Sequence, residues 1–357
     1  MELTDYGIYL ANWYAQNKRE LPWRQTRDPY KIWLSEVMLQ QTRVSQGLPY
    51  YIGFLEKFPT VYALAEAEEK EVLLEWQGLG YYTRARNLHK CAKTIVSHYG
   101  GRFPAQYEQL QELPGVGSYT AAAIASISFG QKVPVLDGNV YRVISRLFDI
   151  GEAIDTAKSR KIFMDIAAGM IPDIDPGSFN QAIMEFGALV CVPKNPLCAE
   201  CVLNSKCLSF SKKNQADRPV KRMKVKKTIR HFNYLVMKNQ TGIYMKKRIK
   251  NDIWKGLFDF YLLESPNEIS KLHDIPGIQK LNGVNDPSTW KLVHVKEYKH
   301  LLTHQVIQAK FFLVRCKDPK QKVWGDIQDD GDFYPLEQID NLPKPVLINK
   351  YLKEEIF

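Results

Sequence analysis

From Asp5 to about Leu208, apolar residues recur every three or four positions, as in Tyr62–Gly78 and Tyr119–Phe129, with Pro and Gly marking the breaks. That period predicts a first domain that is nearly all α. Beyond it the pattern changes. His231–Met237 and Lys310–Arg315 are short apolar runs rich in aromatic and β-branched residues, which predicts strands and an α+β second domain. Residues 211–230 hold nine basic residues, one acidic residue and little apolar content, and read as a linker outside any core. The expected organisation is a helical domain over 1–210, a basic linker over 211–228 and an α+β domain over 229–357. Two cores suit 357 residues better than one, and no repeat of fixed period is visible.

A composition of 45% hydrophobic and 25% charged residues is that of a globular protein and excludes fibrous or largely disordered classes. The 49 Lys and Arg against 39 Asp and Glu give a net charge of +10, which favours an anionic partner such as nucleic acid. Acidic residues stand near the N-terminus where a signal peptide would be basic, and no apolar run approaches membrane-spanning length, so a cytoplasmic protein with no membrane partner is expected.

Cys191, Cys198, Cys201 and Cys207 follow C-x6-C-x2-C-x5-C, so four thiolates within seventeen residues can converge on one metal centre. Zinc ligands usually come as two close pairs, and this string has one. Cys91 and Cys316 stand apart and read as ordinary buried cysteines. Upstream, Leu113-Pro-Gly-Val-Gly117 leads into a run rich in small residues, Ser118–Ile127, and reads as a helix-hairpin-helix. Gly115 and Gly117 would allow the sharp turn that aims backbone N–H groups at a phosphate. About twenty residues on comes Val133-Pro-Val-Leu-Asp-Gly-Asn-Val-Tyr-Arg142, an apolar strand-like run ending in Asp137 and Asn139. Glu36 sits on an apolar helical stretch between Leu34 and Leu39, where partial burial would raise its pKa toward neutrality.

These motifs together resemble one family. The cysteine spacing is similar to the loop that closes the helical domain in the endonuclease III and MutY families, and the hairpin with Asp137 resembles the signature of helix-hairpin-helix glycosylases. Leu21–Arg24 and Tyr30–Arg43 resemble MutY most closely. The resemblance implies a mostly α helix-hairpin-helix glycosylase domain with a structural [4Fe–4S] cluster on the four cysteines, followed by a Nudix-like α+β domain. It implies a monomeric repair enzyme that removes adenine opposite 8-oxoguanine or G in double-stranded DNA. Glycosidic cleavage needs a proton on the leaving base and stabilisation of a cationic sugar, which suits two carboxyls in different environments. Glu36 would be the acid toward adenine N7. Asp137 would stabilise the sugar cation or trap it covalently, with Asn139 positioning it. Tyr119 stands where endonuclease III relatives carry a Schiff-base lysine, which implies a monofunctional enzyme. Gln41 and Tyr81 would enter the base stack, and Arg24 and Gln181 would face the adenine pocket. Thr303 and His304 resemble the family's lesion-contacting loop, with Leu302 and Thr303 in place of Phe and Ser. No glutamate-dense helix of the metal-binding Nudix type is present, which weighs against nucleotide hydrolysis. A bifunctional glycosylase/lyase and a non-catalytic damage-binding protein are the rival readings.

Overall fold

The structure is a computed structural model that describes residues 2–173, 175–222, 227–280, 290–316 and 331–357. It divides into two compact units, one of residues 1–66 and 87–224, the other of residues 67–86 and 225–357. Positions 223–226 of the basic linker lie outside the described residues.

The first unit is helical. At its centre runs the helix Ser118–Phe129, in which every side chain from Thr120 to Ile127 is buried. A helix apolar on all sides must be surrounded, and the small residues of this one admit close neighbours, the helices Pro29–Leu39 and Pro176–Leu189. A Cβ at Gly177 would stand 2.8 Å from the Ile127 Cα, overpacking that costs about 1–3 kcal/mol. Gly130, at φ 69°, ends the central helix in the left-handed conformation that favours glycine. The following run, expected to be strand-like, forms no sheet. Instead the fully buried Asn180 takes its bonds: Nδ2 donates to Val133 O (2.8 Å) and Ser126 Oγ (2.8 Å), and Oδ1 accepts from Val135 N–H (3.1 Å). This satisfies buried backbone without a ladder and delivers Asp137 to the start of the helix Gly138–Leu147.

Among the described residues, the second unit is built on a mixed sheet of seven strands: β1 (Thr228–Lys238), β2 (Ile243–Lys247), β3 (Phe258–Asp259), β4 (Tyr261–Ser265), β5 (Trp290–Leu301), β6 (Gln305–Cys316) and β7 (Asp332–Tyr334). The main order is β3-β2-β1-β6-β5, with β1 and β6 parallel and the other pairs antiparallel. Alternation assigns the two faces of β1. Phe232, Tyr234 and Val236 meet Phe311 and the helix Val346–Glu355, while Leu235 and Met237 meet Phe312, Leu272 and Ile275. A central strand buried on both sides reads as a continuous apolar run, as this one does. Phe311 and Tyr351 stack at 4.4 Å with an interplanar angle of 9°.

Candidate active site

Glu36 lies in the third turn of the helix Pro29–Leu39 among buried apolar residues. Tyr119, one residue into the central helix, donates its hydroxyl to Glu36 Oε2 at 2.5 Å, and Met184 Sδ stands 3.2 Å from the same hydroxyl. Burial pushes the Glu36 carboxyl up to about 7; the Tyr119 bond and the charge of Arg24 oppose the rise, and Asp137 adds to it. A carboxyl poised at that value can both hold and release a proton at physiological pH.

Asp137 is the N-cap of the helix Gly138–Leu147. Its Oδ1 accepts from Val140 N–H and its Oδ2 from Asn139 Nδ2, each at 2.8 Å. Burial raises its pKa, whereas those hydrogen bonds and the Arg142 charge favour the anion. Arg142 extends the array: it donates to Asn139 Oδ1 (2.7 Å), Gly187 O (2.7 Å) and Cys191 O (2.7 Å). Gly187 is required here, because a Cβ would stand 2.6 Å from Asn139 Cβ.

Arg24 does not stand alone. Its two terminal nitrogens grip Glu185 at 2.6 and 2.5 Å, and Arg19 grips the same carboxylate at 2.8 and 2.5 Å. Burial favours the neutral acid, but the hydrogen bonds from Arg19 and Arg24 outweigh it and bring Glu185 down to about 2. Arg19 and Glu185 are functional candidates that the motif reading passes over. Gln181, one turn before Glu185, accepts a hydrogen bond from Tyr14 at 2.8 Å and shares with Arg24 the lining of a cavity of about 280 Å³.

In the hairpin, only Gly115 needs to be glycine: its φ is 75° and a Cβ would meet Asn87 Cβ at 2.5 Å. Gly117 is different from expectation. It is the extended N-cap of the central helix, φ −84°, with open space where a Cβ would be. Gln41, just past the helix carrying Glu36, is exposed and left-handed at φ 55°.

The four clustered cysteines line one cavity together with Arg146 and Gln215. N–H donors meet these sulfurs, among them Arg146 to Cys191 (3.4 Å), Leu203 N–H to Cys201 (3.4 Å) and Gln215 to Cys198 (3.9 Å), while the Cys207 thiol donates to Arg146 O (3.2 Å). Among the described residues no three His, Cys, Asp or Glu side chains are spaced to grip a single ion. Cys91 is buried, as expected, and the Cys316 side chain lies outside the described residues.

In the second unit, Thr303 and His304 form the turn between β5 and β6. The Thr303 hydroxyl shares a hydrogen bond with that of Tyr81, so two predicted site residues 222 positions apart meet. Tyr82 is buried and hydrogen-bonds Lys344 O. No helix among the described residues is long and apolar enough to cross a membrane.

Comparison with known proteins agrees with this architecture. Residues 34–168 match the HhH-GPD superfamily of base excision DNA repair proteins, and 233–354 match the NUDIX domain. A thermostable thymine-DNA glycosylase superposes with a TM-score of 0.55 at 29% identity, over 59% of this chain and 97% of that one. Endonuclease III in a non-covalent DNA complex shares the fold, with a TM-score of 0.51 at 23% identity over 58% of this chain and 95% of its own. Fold and site thus define a base-excision glycosylase of the helix-hairpin-helix class followed by a Nudix-like domain. The adenine DNA glycosylase of Buchnera aphidicola subsp. Schizaphis graminum is 34% identical over 97% of this chain and 98% of its own length; that of Homo sapiens is 46% identical over 58% of this chain and 39% of its own. The chain belongs to the adenine DNA glycosylase family and acts on DNA.

Proposed function

We propose that this enzyme hydrolyses the N-glycosidic bond of adenine paired with 8-oxoguanine, or with G, in duplex DNA, and that it does so without a lyase step. The observation that carries the reading is the pair of unlike carboxyls. Asp137 is met by a backbone N–H, a carboxamide and the Arg142 charge, whereas Glu36 is met by a phenol in an apolar wall. The proton therefore rests on Glu36 and the negative charge on Asp137. Glu36 gives its proton to adenine N7 as the bond breaks. Asp137, aimed by Asn139, stabilises the sugar cation or traps it. Glu185, kept ionised by Arg19 and Arg24, fixes the Arg24 guanidinium beside the cavity that Gln181 also lines, where these two side chains would face the adenine. Tyr119 is a phenol and forms no imine with the abasic sugar.

The opposite base is read by the second unit, through Thr303 and His304 at the β5–β6 turn, with Gln41 and Tyr81 entering the stack. Gly115, Gly117 and the start of the central helix hold the phosphate backbone. The four cysteines suit a [4Fe–4S] cluster: all four sulfurs line one cavity, and they include a single close pair, Cys198 and Cys201, where zinc ligands usually come as two. Cys191, Cys198, Cys201 and Cys207 would hold the cluster, which when bound supplies structural cross-linking of the loop.

Two measurements test these readings. On an A:8-oxoguanine duplex, strand scission is expected only after alkali; scission without it would restore the lyase reading. Purified protein is expected to be yellow-brown with about four irons per chain, and a colourless protein with one zinc would overturn the cluster.

A third concerns pH. Since the Tyr119 hydrogen bond holds the Glu36 pKa down, Tyr119→Phe should raise it and move the alkaline fall of the excision rate to higher pH. Single-turnover rates from about pH 5 to 9 would show the shift.

A further inference from the structure

Resting on the assignment of Tyr81 as a residue that enters the base stack, we propose that Arg84 is the positioning residue that sets the Tyr81 ring for insertion, with Trp76 as its backing plate. All three belong to the 67–86 segment of the second unit. The Arg84 guanidinium lies 5.4 Å from the centroid of the Tyr81 ring and 5.3 Å from that of Trp76. Its NH2 donates to Gly80 O at 3.1 Å, an oxygen that also accepts from Trp76 Nε1 at 3.0 Å. The turn so tied is an unusual one: Gly78 and Gly80 have φ of 105° and 78°, and Tyr81 itself is left-handed at φ 50°, a conformation large side chains rarely adopt. The Tyr81 hydroxyl is bonded to Thr303, yet 46% of the residue remains exposed. The ring is thus fixed at its face and at its tip while its edge is left free. A buried side chain needs no such arrangement; a wedge that must enter stacked bases without first being ordered does.

Arginine is specified by chemistry as well as by place. A planar guanidinium can stack on a ring while donating in its own plane to a carbonyl, whereas an ammonium keeps the charge but not the plate. Burial lowers the Arg84 pKa to about 10, which leaves it cationic at neutral pH.

The test is a double-mutant cycle on the full chain. Arg84→Lys, Tyr81→Ala and the double variant would be compared by single-turnover excision from A:8-oxoguanine and by the fluorescence of 2-aminopurine placed next to the lesion, which reports unstacking whether or not adenine is released. Arg84→Lys is expected to slow excision roughly three- to thirtyfold and to reduce the fluorescence change. On the Tyr81→Ala background the same substitution should add nothing. Circular-dichroism melts confirm folding, and Arg84→Gln serves if the Lys variant melts early. Wild-type fluorescence or rate in a folded Arg84 variant overturns the proposal. So does a loss that adds to that of Tyr81→Ala and lessens the salt dependence of binding, which would make Arg84 a phosphate contact instead. If the wild-type enzyme fails to release adenine, the proposed activity is refuted, and the fluorescence arm still decides the role of Arg84.

Discussion

Glu36→Gln is expected to bind the A:8-oxoguanine duplex normally and to release adenine about 10²- to 10⁴-fold more slowly, since an amide of the same shape cannot deliver the proton the leaving base requires. The same variant should be more stable than the wild type at alkaline pH. Burial raises the folded-state pKa of Glu36 from 4.5 to about 7. The stability that goes with the protonated form is therefore complete below pH 4.5 and is lost as pH rises through about 7. Glutamine carries no charge to bury, so its advantage should be absent at about pH 4 and reach a few kcal/mol by about pH 8. Thermal melts at the two pH values, run beside single-turnover excision, check both effects. A variant that excises at near-normal rate, or whose stability gain does not depend on pH, would remove Glu36 from the acid's role.

Asp137→Asn is expected to cost a further large factor, on the order of 10²–10³ in rate, because a neutral amide stabilises a sugar cation poorly. The substitution is clean in one respect. Asparagine caps a helix about as well as aspartate, so the bond to Val140 N–H and the turn that presents residue 137 should survive. The amide nitrogen would, however, face the Asn139 donor, so stability should fall by about 1–3 kcal/mol while excision falls far more steeply. Rates like those of the wild type would mean that the cation is stabilised elsewhere, and a collapse of stability would mean that the cap rather than the charge was lost.

The proposed catalytic pair could be picked out in the sequence because it rides on local motifs: a short apolar helix carries Glu36, and a turn of three residues fixes Asp137 and Asn139. What escaped is what depends on distant partners. Glu185 follows Gln181 by one helical turn, a spacing that could have pointed to it, yet its two arginine partners lie more than 160 positions away. Arg142 stands inside the quoted motif, but its link from Asn139 to Cys191 exists only once the helix Pro176–Leu189 is docked at Gly187. The run Val133–Leu136 has strand composition and no strand, because the Asn180 carboxamide replaces the neighbouring strand it would need. Most telling is the 67–86 segment. Its helical period places it with the first domain, whereas contacts such as Gln77 Oε1 to Lys344 N–H, 2.7 Å and 267 positions apart, place it in the second unit. No local pattern announces a bond of that span.

Single-turnover release of adenine from matched duplexes that place A opposite 8-oxoguanine, G, C or T tests the central claim most directly. Release is expected to be fastest opposite 8-oxoguanine, slower opposite G, and slight opposite C or T, with Thr303→Ala/His304→Ala narrowing the gap between the first two by roughly ten- to a hundredfold, as expected for losing about one good base contact. Equal release from all four duplexes, or a preference for 8-oxoguanine that survives the loss of both side chains, would contradict it.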